Sequence, residues 1–171
     1  MRKNFGAKTW LYPMPVLIVG TYDENGIPNA MNAAWGGVYD TNQVMVCLAD
    51  DHKTTGNIKK TGAFTVSFAT SKTVVPCDYV GIVSANDVPD KFAKAGFHAT
   101  KSDYVDAPLI DELPMALECE LISYIKINCY LRNDNTVGRG LAPAAENGTF
   151  SDFPKENNIL SPAAMSIRIA N

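Results

Sequence analysis

The sequence predicts a mainly β fold, a barrel or sandwich with short peripheral helices rather than a doubly wound α/β sheet. Short β-branched or alternating apolar runs recur along the chain, and tight-turn residues stand between them. Helix patterning is confined to two brief stretches. With 171 residues the chain is long enough for a single domain around a real hydrophobic core.

The elements follow in order. Pro13 and Pro15 punctuate the entry to Val16–Tyr22, a β-branched run that reads as a buried strand. Asp23-Glu-Asn-Gly26 is a turn signal, since Asn-Gly supplies the positive φ angles of a tight hairpin, so Ile27–Ala34 should return antiparallel. Asp40-Thr-Asn42 leads into a further short strand at Val44–Ala49. Thr54–Lys60 suits a short helix ended by Thr61-Gly62. Ala63–Ala69 alternates Phe64, Val66 and Phe68 against Thr65 and Ser67, the pattern of a half-buried strand. Ser84-Ala-Asn-Asp87 precedes a helix pattern over Val88–Ala95 that stops at Gly96. Leu117–Ile127 alternates again, with Leu117, Cys119 and Leu121 facing one way and Glu118, Glu120 and Ile122 the other. Beyond it, Arg132–Asn135, Gly138–Gly140 and Ala142–Gly148 are rich in breakers, and strand-like alternation resumes only at Met165–Ile169.

Several function classes drop out. The 15 basic and 18 acidic residues are scattered and leave no basic footprint for nucleic acid. No apolar run is nearly long enough to span a bilayer, Val16–Val19 included, and no apolar stretch of signal-peptide length follows Arg2 and Lys3, so a cytoplasmic location is expected. The four cysteines form no C-x-x-C pair, and with only two histidines no metal site is expected. No G-x-G-x-x-G follows a strand and no P-loop sequence occurs. The acidic pairs Asp50/Asp51 and Asp87/Asp90 read as solvated loop residues, and no catalytic acid, base or nucleophile is nominated.

Two segments point to a ligand. In Asn29-Ala-Met-Asn-Ala-Ala-Trp-Gly-Gly37, small residues would let a flat ring approach the backbone, whose N–H and C=O groups could bond its polar edge while Asn32 adds an amide. The same run could equally be a tightly packed strand with Trp35 as a core anchor. His52-Lys-Thr-Thr-Gly-Asn57 offers a cation, two hydroxyls and a helix N-terminus, which together suit a phosphate. A ring site beside a phosphate site, without a dinucleotide fingerprint, suggests a mononucleotide. Tyr79, in Cys77-Asp-Tyr-Val-Gly81, could stack beside a ligand or simply pack.

These segments together resemble the flavin reductase-like family of FMN-binding split-barrel proteins, of the flavoredoxin type. The matching residues are Tyr12–Pro15, Val16–Asp23, Asn29–Trp35, His52–Ile58, Thr61–Phe64, Asp78–Gly81, Asp87–Gly96, Ala107–Ile110 and Leu117–Glu120. The likeness runs over about residues 5–124. It implies a six-stranded split barrel of Greek-key type that binds FMN non-covalently, as a homodimer with the flavin near the subunit interface. By position, Met31, Asn32, Ala33, Ala34 and Trp35 would line the isoalloxazine and ribityl chain. Lys53, Thr54 and Thr55 would hold the phosphate, and Asp78 and Tyr79 would lie near the flavin. The implied activity is reduction of flavin by NAD(P)H. The alternatives are electron transfer through bound FMN to a protein partner, or a non-catalytic remnant of the fold. The likeness stops after Tyr124, so residues 125–171 are expected to be a divergent tail or the product of a shifted reading frame. A non-native tail would leave the barrel one strand short, with an unpaired neighbour.

Overall fold

The computed structural model describes residues 11–124 and the backbone of Met165–Ile169. By internal contacts the chain divides into two units, Met1–Pro13 with Ile125–Leu160, and Met14–Tyr124 with Ser161–Asn171. In the first, the described residues are Leu11–Pro13, with a cis bond between Tyr12 and Pro13. The second carries every element below. Most of the tail expected to diverge, residues 125–171, lies outside the described residues.

The elements are β1 (Leu17–Tyr22), β2 (Pro28–Ala33), β3 (Gly36–Asp40), β4 (Gln43–Val46), α1 (Lys53–Thr61), β5 (Ala63–Phe68), α2 (Val74–Ile82), α3 (Lys91–Lys94), β6 (Ala99–Lys101), β7 (Pro108–Ile110), β8 (Ala116–Leu121) and β9 (Met165–Ile169). Seven strands form one antiparallel sheet in the order β2-β1-β5-β8-β9-β4-β3, and β6 and β7 form a separate ribbon. The sheet thus has one strand more than the six expected. Met165–Ile169 is the strand its alternation predicts, and it pairs with both β8 and β4, so neither is left open on that side.

Alternation along the strands divides the core. Leu17, Val19, Met31, Ala33, Phe64, Val66 and Cys119 face one side of the sheet, where Ile58 of α1 joins them. Ile18 and Ala30 face the other, against Cys77 and Val80 of α2, Phe92 of α3, Phe97 and Ile110. The β1–β2 hairpin closes as expected, with Gly26 at φ 73°. The Gly26 N–H donates to Asp23 O, and the Asp23 carboxylate accepts from the Asn25 and Ile27 N–H groups.

α1 begins at Lys53, one residue before the expected start, with His52 as an N-cap that makes no side-chain bond. It ends where expected, at left-handed Gly62 (φ 71°), whose N–H donates to Ile58 O. Two buried side-chain bonds seat it on the hairpin: Asn29 Nδ2 to Thr54 Oγ1 (2.7 Å) and Asn57 Nδ2 to Thr21 Oγ1 (3.0 Å).

Two expectations change. The helix expected over Val88–Ala95 shrinks to Lys91–Lys94, because Pro89 disfavours helical geometry at Val88 and the chain turns over Ser84 first. α2 is an added helix through Cys77–Gly81. Its Pro76 sits in the first turn, where a missing N–H costs nothing. On the face opposite Leu117 and Cys119, Glu118 is buried, because the segment after β6 covers β8 there: Ser102 Oγ donates to its carboxylate.

Lys91 is 3 % exposed, and its ammonium donates to Val80 O and Val83 O, both at 2.8 Å, at the C-terminal end of α2. Burial alone pushes this amine down from 10.5 to about 8. Asp78 and Tyr79 on α2, Asp87 in the turn, and Asp90 and Lys94 beside it contribute nothing to the shift. Between about pH 8 and 10.5 the unfolded chain therefore holds a proton that the folded protein has released, so stability should rise with pH through that window. Chemical denaturation across it should show this rise in the wild type, and Lys91→Met should lose it.

Among the described residues no helix is long and apolar enough to cross a membrane, and no group of three or more His, Cys, Asp or Glu is placed to hold a metal.

Candidate functional site

β2 is the terminal strand of the sheet, bonded to β1 along one side. Its other side presents backbone N–H and C=O groups that no strand among the described residues pairs. Asn29, Met31 and Ala33 point to the α1 side of the sheet, while Ala30 and Asn32 point to the α2 side. Met31 and Ala33 are buried in the core cluster, so any contact they make with a ligand runs through the backbone. Ala34 is exposed, and Trp35 is 52 % exposed, which excludes the core-anchor reading of this residue.

A cavity of about 560 Å³ lies on the α2 side, between the entry to β1, Asn32, the end of β5 and α2. Its walls are mostly apolar: Pro15, Val16, Phe68 and Val74, with the polar groups of Asn32 and Asp78 among them. Gly81 is what lets α2 lie this close to β2, for a Cβ there would stand 2.7 Å from Asn32 Cβ. Cys77 also lines the cavity, but burial pushes its thiol up, against a hydrogen bond with Thr73, so it is no thiolate at neutral pH. Tyr79, one residue beyond Asp78, packs with the Phe92–Phe97 cluster and is no part of this wall.

A second cavity, of about 420 Å³, lies where the β1–β2 hairpin meets the start of α1. Lys53 supplies its cation and stands 3.8 Å from the Asp23 carboxylate. Three asparagines, Asn25, Asn29 and Asn86, give it an amide lining. Asn29 is 4 % exposed and its Oδ1 has no hydrogen-bond partner. The Thr54 hydroxyl accepts from Asn29 and the Thr55 hydroxyl donates to Ala49 O, and both side chains are buried. What these two residues leave open toward an anion is their backbone N–H groups in the first turn of α1.

The expected residues therefore come together in two places, Asn32 with Asp78 and Lys53 with the α1 N-terminus, joined by the open edge of β2. Sequence reasoning missed Asn29, Asn25 and Asn86, as well as Val16 and Phe68. Asn29 carries a readable signal: an asparagine inside a strand goes against β propensity and asks for a reason.

The sequence model of the flavin reductase like domain matches residues 9–134. The flavoredoxin of Desulfovibrio vulgaris (Miyazaki F) is similar in structure, with a TM-score of 0.70 and 41% identity over 74% of this chain and 69% of that one. The FMN-binding domain of a flavin reductases-like enzyme from Shewanella baltica superposes with a TM-score of 0.60 and 27% identity, over 64% of this chain and 58% of that one. An uncharacterized protein of Aeropyrum pernix is 28% identical over 118 residues, which are 68% of this chain and 44% of the relative, so the match spans less than half of that relative. On the match over residues 9–134 and these likenesses, the chain belongs to the flavin reductase like domain family and has its mainly β split-barrel fold.

Proposed function

We propose that this chain binds FMN along the open edge of β2 and works as a flavin reductase-like oxidoreductase that uses NAD(P)H to reduce flavin. The observation that carries the reading is the placement of an unpaired strand edge between a mostly apolar cavity and a cationic one. The residues fit the group. Lys53 and the first N–H groups of α1 suit the phosphate. The Asn29 amide, unsatisfied at Oδ1, can turn over to offer its NH₂ there while Thr54 donates to it instead. Asn32, Ala33, Ala34 and Trp35 would border the isoalloxazine, with the backbone of Met31 and Ala33 meeting its polar rim. Asp78 faces the same cavity. FMN, when bound, supplies the electron-transfer chemistry. The protein's part is to orient the ring, limit water on its apolar side and hold the phosphate.

The visible spectrum of the purified protein tests the cofactor. A colourless protein that takes up no FMN in titration would sink the reading and leave a non-catalytic remnant of the fold. Lys53→Met is expected to weaken FMN binding about tenfold, roughly one charge-assisted contact, and to leave riboflavin binding unchanged. Equal loss for both ligands would remove Lys53 from the phosphate.

The likeness to a flavoredoxin favours a second reading, electron transfer through bound FMN to a protein partner. Anaerobic mixing with NADH and with NADPH separates the two: bleaching of the flavin supports the reductase, and no bleaching with either supports the carrier. We further propose a homodimer. Trp35, Val38 and Tyr39 stand exposed at and just before β3, the strand at the far edge of the sheet from β2. Sedimentation of the holoprotein checks this.

A further inference from the structure

One charged side chain lines the apolar cavity, Asp78 of α2, and the polar residues around it, Asn32, Thr70 and Ser71, are neutral. Asp78 is exposed, and its carboxylate makes no hydrogen bond or ion pair among the described residues. No described cation is placed to balance it. Lys91 turns its ammonium to Val80 O and Val83 O, and five other lysines pair with carboxylates. Lys72, in the loop before α2, is exposed and lines neither cavity. The surrounding charge has the same sign as Asp78. Residues 11–124 hold fourteen Asp and Glu against seven Lys and no Arg, a formal net charge of −7 with His neutral, whereas the whole chain stands at −3. Apolar walls lower the local dielectric and focus such a field into a cleft. An anion entering this cavity is repelled and finds no cation to bind. A neutral ring meets no such barrier, and a cationic one is drawn in.

We infer that Asp78 is a specificity-determining residue of the flavin cavity, which takes neutral or cationic ring compounds as electron acceptors and turns anionic ones away.

The inference rests on the FMN reading, and the experiment keeps the two apart. Naphthoquinone and its sulfonate are the probes, sharing a ring and differing by one anionic group. In either case two electrons and two protons pass from the reduced flavin to the quinone, which leaves as hydroquinone, and oxidised flavin remains. The sulfonate makes the ring the stronger oxidant, so intrinsic reactivity works against the expected result. The FMN-loaded protein is reduced anaerobically by light with EDTA as donor. Flavin reoxidation is then followed on mixing with each quinone, for the wild type, Asp78→Asn and Asp78→Lys, at low and at high salt. At low salt naphthoquinone should reoxidise the wild type about tenfold faster than its sulfonate does, and high salt should narrow the gap. Asp78→Asn should reduce that ratio about threefold, and Asp78→Lys should reduce it further. A wild-type ratio near one would overturn the proposal. So would a ratio that Asp78→Asn leaves unchanged, since the discrimination would then come from elsewhere in the chain. Asp78→Asn keeps the shape of an exposed side chain, so it decides alone should Asp78→Lys fail to fold. A wild type that takes up no FMN sinks the flavin reading and this role together, and its spectrum shows that before any quinone is added. Equal rates with FMN bound overturn this role alone.

Discussion

Replacing Gly20 with alanine is expected to destabilise the protein by about 3 kcal/mol and to lower its melting temperature by roughly 6–12 °C. Gly20 sits in β1, paired with Ala30 on one side and Thr65 on the other. A Cβ there would stand 2.5 Å from Thr65 Oγ1 and 3.1 Å from Pro108 O. Those two atoms are themselves bonded, the buried Thr65 hydroxyl donating to Pro108 O at 2.6 Å. Thr65 therefore cannot swing aside without breaking a bond that ties β5 to β7, and the carbonyl, being backbone, yields little. The new methyl would overpack the site, break the buried bond, or both, and each outcome costs about 1–3 kcal/mol. Denaturant unfolding of Gly20→Ala, Thr65→Ala and the double variant checks the mechanism. The double variant should cost about 1–2 kcal/mol less than the sum of the singles, since Thr65→Ala makes room for the methyl. Additive costs would mean that the two residues do not compete for the same space.

The sequence made the backbone of the sheet legible because its signals there were local. β1 is a continuous apolar run and β5 an alternating one, and both strands form there. The half-burial that alternation predicts for β5 does not hold, since Thr65 and Ser67 are buried too: β7 lies against that face, where Thr65 donates to Pro108 O. Gly26 and Gly62 stop their elements through a backbone preference that needs no tertiary context. α2 was not legible for the opposite reason. Val74, Val75, Pro76 and Gly81 all speak against a helix on propensity, and what supports it is a lysine eleven residues beyond Val80 and packing on Asn32. The burial of Glu118 was not legible either, since the segment around Ser102 that covers it is distant in sequence. The site shows the same division. Small residues in Asn29–Gly37 and the cation at Lys53 could be read directly. Which side chains share a face depends on strand parity. Parity sends Met31 and Ala33 into the core and Asn32 to the cavity, while Asn29 turns to Thr54, a sorting that a linear motif does not display.

Gly81→Ala should do the reverse of Gly20→Ala, sparing the fold and impairing the proposed site. The added Cβ would stand 2.7 Å from Asn32 Cβ and 3.3 Å from its Nδ2, and the first of these contacts is closer than real Cβ atoms tolerate. A strand Cβ moves only with its backbone, so rotating Asn32 gives no relief. α2, which no strand ladder holds, is the element to retreat. Alanine is favoured over glycine inside a helix by about 1 kcal/mol, which offsets much of the cost of that retreat. Net stability should therefore shift by less than about 1 kcal/mol. The cavity is less forgiving, because Val74, Cys77 and Asp78 move with the helix and the Asn32 side chain is pressed from above. FMN affinity is expected to fall about tenfold or more, a loss of about 1.4 kcal/mol that appears in titration but hardly in unfolding. Ile82→Ala, an exposed position on the same helix, should leave both measurements unchanged. If Gly81→Ala binds FMN as tightly as the wild type, α2 is not a wall of the flavin site. If it loses stability and affinity in parallel, α2 holds the barrel together rather than shaping the pocket beside it.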